Sequence, residues 1–439
     1  MEIVHVYDGH ERVHDGRGSV PNVLWNVARE TAAAGHDVTV LERQWDGLPA
    51  RASHEGVRFE RFDLSTGADE PWERVPYELV ESPVGLARLV GDRTNFARAA
   101  FFRLRDLDPD VIHVHLPFAA SVLATVAPWL RDRLVYTAHL GELRLDALTD
   151  DQQGAAAADG GTVEVGEDAA SGDDETGGLD APDVLSLASP DTFLANRVAH
   201  TTVLNPDVAD VFADRGVPRD RLTVVPNGVD VDRFGDVPAE RQREVRRAYD
   251  LDDSPVVLFV GTVMPRKGVD DLVRATERLV AEHGYEDLQV VVAGEDDLDG
   301  EYTAEVRELA AEAGVADVVR FAGFVPGEDL PALYALADVF ALPSREEGFG
   351  MTVTEALAAG TPTVATDVGG IPRLVDEGEQ GSLVSPNDPD GLAAGIDRVL
   401  SVEGDERSRM ADRARERAAE YSWRGVARQF CTIYEEVAR

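Results

Sequence analysis

Two glutamates eight residues apart, Glu347 and Glu355, lie in the stretch SREEGFGMTVTEALAAGTPTVATDVGGIPRLV (344–375). The loop after the first holds Gly348 and Gly350 around Phe349, and such small residues let backbone amides approach a ligand closely. A helix follows, and its unpaired first N–H groups and positive dipole end suit phosphate. Glu355, about one turn into that helix, can accept hydrogen bonds from sugar hydroxyls. A second stretch, FVGTVMPRKGVDDL (259–272), has the same strand–loop–helix order, with Gly261 and Gly268 in the loop. It brings Arg266 and Lys267 to the sheet edge, where two cations can neutralise a diphosphate leaving group as charge develops on it. Taken alone, that pair reads equally well as a solvated helix start. The lysine count favours function: of 42 basic residues 41 are Arg and one is Lys, at 267, so this position needs a compact ammonium. VVAGEDD (291–297) ends a strand at Gly294, and in FAGFVPGEDLPALYALADVF (321–340) main-chain groups near Phe324 and Val325 could hold a base edge.

These loops need strands to carry them. IVHVY (3–7), DVTVL (37–41), VIHVH (111–115), RLVYT (133–137), HTTVL (200–204) and LTVVP (222–226) read as buried strands with helical patterns between several of them. One helix is expected to start with Ser19 as its N-cap, carry Pro21 in its first turn and stop at Gly35. The pattern then restarts at VVLFVG (256–261), LQVVVAG (288–294), VVRFAGF (318–324), DVFALPS (338–344) and TPTVAT (361–366). Alternating strands and helices imply parallel sheets covered on both faces, and ligands in such folds bind at the carboxyl ends of the strands. The fold class is α/β with two doubly wound, Rossmann-like domains. The expected boundaries are 1–235, 236–419, and a C-terminal helix over 420–439 that packs back on the first domain.

The segment 150–183 breaks the pattern, with eleven acidic residues, no Lys or Arg, and many Gly and Ala; it reads as a flexible, solvating insertion. Net charge is −41, which repels nucleic acid phosphates and excludes a general polyanion-binding role. Acidic excess of this size resembles proteins of salt-loving organisms, a haloarchaeon being the expected source. A single cysteine, Cys431, forms no intrachain disulfide and fits a reducing cytoplasm. The N-terminus MEIVHVYDGH lacks the pattern of a secretory signal, and the uncharged run Val111–Leu130 is divided by Pro117 into strand and helix rather than forming a membrane span.

Together, the Glu-x7-Glu stretch, the RKG loop and VVPNGVD (224–230) resemble the retaining glycosyltransferases of family 4, with the GT-B fold, over nearly the whole chain outside the acidic insertion. The resemblance implies two domains facing a central cleft that closes on binding. The donor lies in the C-terminal domain and the acceptor in the N-terminal one. It implies that Glu347 contacts donor sugar hydroxyls near the anomeric centre and that Glu355 binds the nucleotide ribose. Gly348, Phe349 and Gly350 then line the sugar and phosphates, and Lys267 binds the diphosphate. His139, in VYTAHL, faces the sugar, and Gly16 and Gly18, in DGRGSVPN, belong to the acceptor-side loop. Where many relatives carry Arg after the strand-ending glycine, this chain has Thr262, and Arg266 is the expected replacement cation.

The implied reaction moves a hexose from a UDP- or GDP-sugar to a hydroxyl acceptor, which can be lipid-linked, in cell-surface glycan or glycolipid synthesis. Attack comes on the same face as departure, the leaving phosphate serves as base, and neither cofactor nor catalytic metal is expected. Asp230-Val231-Asp232 comes nearest to an Asp-x-Asp metal motif, but it follows PNG at the domain junction. A sugar-nucleotide epimerase, a glycogen phosphorylase-like enzyme and a non-catalytic sugar-nucleotide-binding subunit share many of these features.

Three further signals carry less. Gly16-Arg17-Gly18-Ser19-Val20-Pro21 follows a strand, and Glu42 ends the next one, yet Pro21 replaces the third glycine of a dinucleotide fingerprint. His113 and His115 share a strand face, where a buried, hydrogen-bonded pair is expected over a zinc site; His5, His10 and His14 are read the same way. The segment 86–107 is locally basic and aromatic, either an amphipathic helix on the first sheet or a peripheral contact with anionic lipid at the inner face of the membrane. Oligomeric state is not legible.

Overall fold

In this computed structural model the described residues are 1–16, 18–64, 83–139, 190–296 and 299–439; the acidic segment 150–183 lies outside them. The chain forms two compact units, Met1–Val225 with Phe430–Arg439, and Pro226–Gln429.

The first unit is built on an eight-stranded sheet. Its strands are β1 (Glu2–Val6), β2 (Asp37–Arg43), β3 (Arg51–His54), β4 (Val57–Phe62), β5 (Val111–Val114), β6 (Leu134–Ala138), β7 (His200–Val203) and β8 (Leu222–Val224). They lie in the order β3-β4-β2-β1-β5-β6-β7-β8. Every pairing is parallel except β3 with β4, a hairpin the hydrophobic pattern did not announce. Its turn, Glu55-Gly56, has positive φ at both residues (46° and 86°), which suits the right-handed twist of a two-residue hairpin. The apolar strands bury both faces, with Ile3, Val4, Val111, Ile112, Leu134 and Val135 fully covered.

The second unit holds six strands: β9 (Val256–Val260), β10 (Gln289–Ala293), β11 (Val319–Gly323), β12 (Val339–Leu342), β13 (Thr363–Thr366) and β14 (Gly381–Val384). Their order is β11-β10-β9-β12-β13-β14, all parallel. The helices expected between them run over Val269–His283, Gly300–Glu312, Leu330–Leu336, Met351–Ala359, Pro389–Leu400 and Gly404–Ala419.

This unit begins at Pro226, ahead of the expected boundary at 236. The short helix Val231–Gly235 packs with it, Phe234 meeting Tyr334 edge-on at 5.6 Å. The last helix, Trp423–Val437, starts in the second unit and ends in the first. Its Trp423 covers Gly228, where a Cβ would come within 2.5 Å of the indole. Tyr434 sits against His113 in the first unit.

The first long helix spans Ser19–Ala33 with Gly18, not Ser19, as its N-cap; Ser19 is the first helical residue and caps nothing. The uncharged run Val111–Leu130 becomes β5 and the helix Pro117–Val126, and no described helix is long and apolar enough to cross a membrane. The basic segment is one helix, Pro83–Leu107. Arg93 is buried beside Asp8, and Arg103 is engaged by Glu60 at 2.5 Å. Arg88, Arg98 and Arg105 are exposed, as are Val84, Leu86, Val90 and Phe102.

Candidate active site

In the second unit β9 and β12 lie side by side, Val257 opposite Val339 and Leu258 opposite Phe340. The chain leaves β9 toward β10 on one side and β12 toward β13 on the other, so the order reverses between them. A crevice opens at such a switch point, beyond the carboxyl ends of the two strands. The loops that leave those ends are the two singled out by their chemistry: Gly261–Gly268 after β9 and Pro343–Gly350 after β12.

Close backbone packing shapes both loops. Gly294, with φ 149°, would place a Cβ 1.9 Å from the Gly261 carbonyl oxygen, and the Gly261 amide donates to Ala293 at 2.9 Å. Gly268, with φ 65°, would place a Cβ 2.1 Å from the carbonyl oxygen of Pro343, so the RKG loop lies directly on the end of β12. Arg345 then clamps the two loops. Its amide donates to the Arg266 carbonyl at 2.7 Å, and its Nη2 donates to Asp270 (2.8 and 2.9 Å) and Asp271 (2.9 Å). Burial alone would raise the Asp270 pKa, but hydrogen bonds from Arg345, Tyr302 and Arg274 outweigh it and hold the value to about 2. The Lys267 ammonium donates to Glu347 Oε2 at 2.5 Å, each side chain 13% exposed. Arg266 is partly buried; burial lowers its pKa, against the opposing charges of Glu347 and Glu346.

The Glu347 loop rests on a glycine pair. A Cβ on Gly369 (φ 53°) would fall 1.6 Å from the Glu347 carbonyl oxygen, and one on Gly370 would fall 2.8 Å from Phe349 Cα. Phe349 is buried and meets Tyr421 at 5.7 Å. Gly350 enters the helix Met351–Ala359 with φ 97° and no side-chain cap, so the first amides of that helix are not claimed by a capping side chain. Glu355 lies farther along it and keeps part of its surface open. Burial raises its pKa to about 7, although a hydrogen bond from the Tyr334 hydroxyl (2.8 Å) and the charge of Arg233 pull the other way. Thr262, partly buried, follows Gly261 directly. At the next strand ends the Gly294 amide donates to Gly323 at 2.9 Å, Phe324 is 49% exposed and Val325 is buried. The nearest Asp-x-Asp is a helix start, with Asp230 accepting the Arg233 amide at 3.1 Å.

His139, Gly16 and Gly18 belong to the first unit. Its β1 loop is held by buried charges. Arg43 donates to Asp92 at 2.6 Å and to the Gly9 carbonyl at 3.1 Å, while Asp8 accepts the Ala119 amide at 3.2 Å. The Gly18 amide donates to Glu11 at 2.6 Å, and a Cβ on Gly16 would fall 2.1 Å from the Arg12 carbonyl. Glu42, which a dinucleotide site would need facing a ribose, is buried. It accepts from Arg61 (2.7 Å) and from the Val13 amide (2.9 Å). His113 and His115 share a face with ring centroids 4.1 Å apart, and both are buried. His113 meets the Tyr434 hydroxyl at 2.6 Å and Thr137 at 2.7 Å. His139 lies just beyond β6, partly exposed, with Nε2 3.0 Å from His115 Nδ1.

The geometry thus joins Arg266, Lys267 and Glu347, with Gly261, Gly268 and Gly294 shaping the loops that carry them. Arg345, Tyr334 and the Gly369–Gly370 pair are additions that motif spacing did not reveal. The glycine pair was visible as letters in DVGG, and only its contact with the Glu347 backbone gives it a purpose.

Comparison with known proteins places the chain in a family. The family model described as glycosyl transferases group 1 matches residues 241–417, and that of the glycosyl transferase 4-like domain matches residues 18–228. A D-inositol 3-phosphate glycosyltransferase of Corynebacterium urealyticum is 29% identical over 423 residues, covering 96% of this chain and 91% of that protein. An uncharacterized glycosyltransferase of Methanocaldococcus jannaschii is 33% identical over 234 residues, 53% of this chain and 57% of that protein. Among solved structures, sucrose-phosphate synthase from Thermosynechococcus elongatus superposes with a TM-score of 0.74 at 23% identity, covering 100% of this chain and 99% of that one. Anabaena HepE in complex with UDP-glucose gives 0.66 at 19% identity, covering 99% of this chain and 100% of that one. These likenesses establish a shared GT-B fold.

Proposed function

This chain belongs to the group 1 glycosyltransferases of GT-B fold, and on that footing we propose that it moves a hexose, with retention of configuration, from a UDP- or GDP-sugar bound in the second unit to a hydroxyl acceptor. The observation that carries this reading is the contact between Lys267, the one lysine of the chain, and Glu347 across the switch point. The ion pair keeps both side chains in place before a donor arrives. A diphosphate then takes the ammonium, together with Arg266 and the first amides of the helix Met351–Ala359, while sugar hydroxyls donate to the freed Glu347 carboxylate. Glu355 accepts from ribose hydroxyls, and the main chain around Phe324 and Val325 meets the base.

In the transfer step the acceptor oxygen bonds to the anomeric carbon as the bond to the diphosphate oxygen breaks. The departing phosphate takes the acceptor proton, and the cations stabilise its growing charge. By family likeness, His139 is read as a residue that serves the donor sugar. The finer setting, cell-surface glycan or glycolipid synthesis in the cytoplasm of a salt-loving organism, follows from family likeness and the −41 charge.

A thermal-shift panel of UDP-, GDP- and ADP-sugars in molar salt tests the donor site, because a ligand of the native state raises the melting temperature. One nucleotide class is expected to raise it, Glu347→Ala to keep that nucleotide shift while losing transfer, and nucleotide release to require an acceptor. Release that strictly requires an acceptor excludes an epimerase. A peripheral membrane role rests on Val84, Leu86, Val90 and Phe102, exposed near Arg98 and Arg105. Flotation with anionic liposomes should weaken in Arg98→Gln/Arg105→Gln, and equal flotation of both proteins removes that role.

A further inference from the structure

Three imidazoles stand in line within the first unit. His5 is on β1, His115 directly follows β5 and His139 directly follows β6, three neighbouring strands of the sheet. His5 Nδ1 lies 3.0 Å from His115 Nε2, and His115 Nδ1 lies 3.0 Å from His139 Nε2. His113 lies beside them but is occupied separately by Tyr434 and Thr137. Nitrogens of His5, His113 and His115 come within 4.8 Å of one another, close enough to share a cation. Yet all of them except His5 Nε2 already have a hydrogen-bond partner, so ligation would break bonds that the fold has made.

A neutral imidazole has one N–H and one lone pair. A row of neutral imidazoles must therefore point all its protons the same way. Burial holds the rings neutral, lowering the pKa of His5 and of His139 to about 3 and that of His115 well below its ordinary value. The end of the row fixes the direction. Among the described residues His5 Nε2 is buried with no hydrogen-bond partner. If the protons pointed toward His5, that atom would be a buried N–H donating to nothing, which is rarer and costlier than a lone pair left unused. The protons therefore point toward His139.

We propose that His115, backed by His5, is a positioning residue that locks His139 as its Nδ1–H tautomer. His5 Nδ1–H donates to His115, His115 Nδ1–H donates to His139 Nε2, and His139 keeps Nδ1–H as the group it offers. That group is a hydrogen-bond donor, matched to an oxygen such as a sugar hydroxyl, and it leaves the proton of the acceptor to the departing phosphate. The inference rests on the reading that His139 serves the sugar, and it specifies what His139 presents.

The test is long-range proton–nitrogen NMR of the whole protein with 15N-labelled histidine, assigned through single His→Gln variants. Nδ1–H tautomers at His5, His115 and His139 are expected. An Nε2–H signal from His139, a charged ring in the row, or a co-purified metal ion bound by these rings would overturn the proposal. Kinetics supply the second arm. His115→Asn, whose amide can still donate from the Nδ1 position, should retain most of kcat. His115→Leu should lose about tenfold or more in kcat with donor KM little changed. Equal kcat in wild type and a folded His115→Leu would overturn the positioning role. If His139→Ala keeps full activity while the NMR order is as expected, the reading of His139 in transfer fails and the tautomer order stands.

Discussion

Glu355 couples burial to ligand choice. Burial raises its pKa to about 7, so its charge changes across the neutral range. On the proposed reading it is the ionised carboxylate that accepts from ribose hydroxyls, and apparent affinity scales with the competent fraction. Donor affinity should therefore rise about tenfold from pH 6 to pH 8. Isothermal calorimetry with the preferred nucleotide should show this rise in wild type and a flat profile in Glu355→Gln. The Tyr334 hydroxyl hydrogen-bonds the ionised form, so Tyr334→Phe should move the midpoint to higher pH. A flat wild-type profile would show that Glu355 does not meet the nucleotide. Lys267 could be found from sequence because a composition that had replaced every other lysine kept this one. Arg345 could not: its partners Asp270 and Asp271 come from the preceding loop–helix segment, and only the adjacency of β9 and β12 brings them to it.

The strands place the site, and glycines let its loops touch. Gly369→Ala should destabilise the second unit by about 3 kcal/mol or more, because strain at positive φ adds to a Cβ overlapping the Glu347 carbonyl. Gly378→Ala has the same kind of φ (77°) but open space around it, and should cost only about 1 kcal/mol. Thermal unfolding of the two variants separates strain from overlap, and equal melting temperatures would show that the glycine pair does not support the loop. The long parallel strands were legible because burial on both faces requires continuous apolar runs. The β3–β4 hairpin escaped because VRFERF is only half apolar, with Arg61 on its buried face, and Glu55-Gly56 is a weaker turn signal than Asn-Gly. β14 escaped because GSLV opens on a glycine and a serine and holds only two apolar residues. Ser19 read as a cap by residue type alone, whereas the backbone puts the cap one residue earlier, at Gly18, and the helix starts at Ser19.

At the scale of the molecule, each unit has a switch point where strand order reverses, between β1 and β5 in the first and between β9 and β12 in the second. The repeat of apolar runs and the chemistry of two loops were enough to single out the two loops that the structure brings together at the second switch point. In the first unit, sequence registered His139 only through likeness to a family, because the contact that orients it crosses between strands. The net charge of −41 makes an anionic ligand meet a repulsive field, so the proposed donor site needs the local positive charge of Arg266, Lys267 and the helix amides. The most direct measurement is calorimetric affinity, in molar salt, of the preferred nucleoside diphosphate and its parent nucleoside for wild type, Lys267→Met and Lys267→Met/Glu347→Gln. The double variant removes the carboxylate that the single one leaves uncompensated. Both variants should bind the diphosphate about tenfold or more weakly than wild type while nucleoside affinity stays the same. Undiminished diphosphate binding in the double variant would contradict a pyrophosphate site at Lys267.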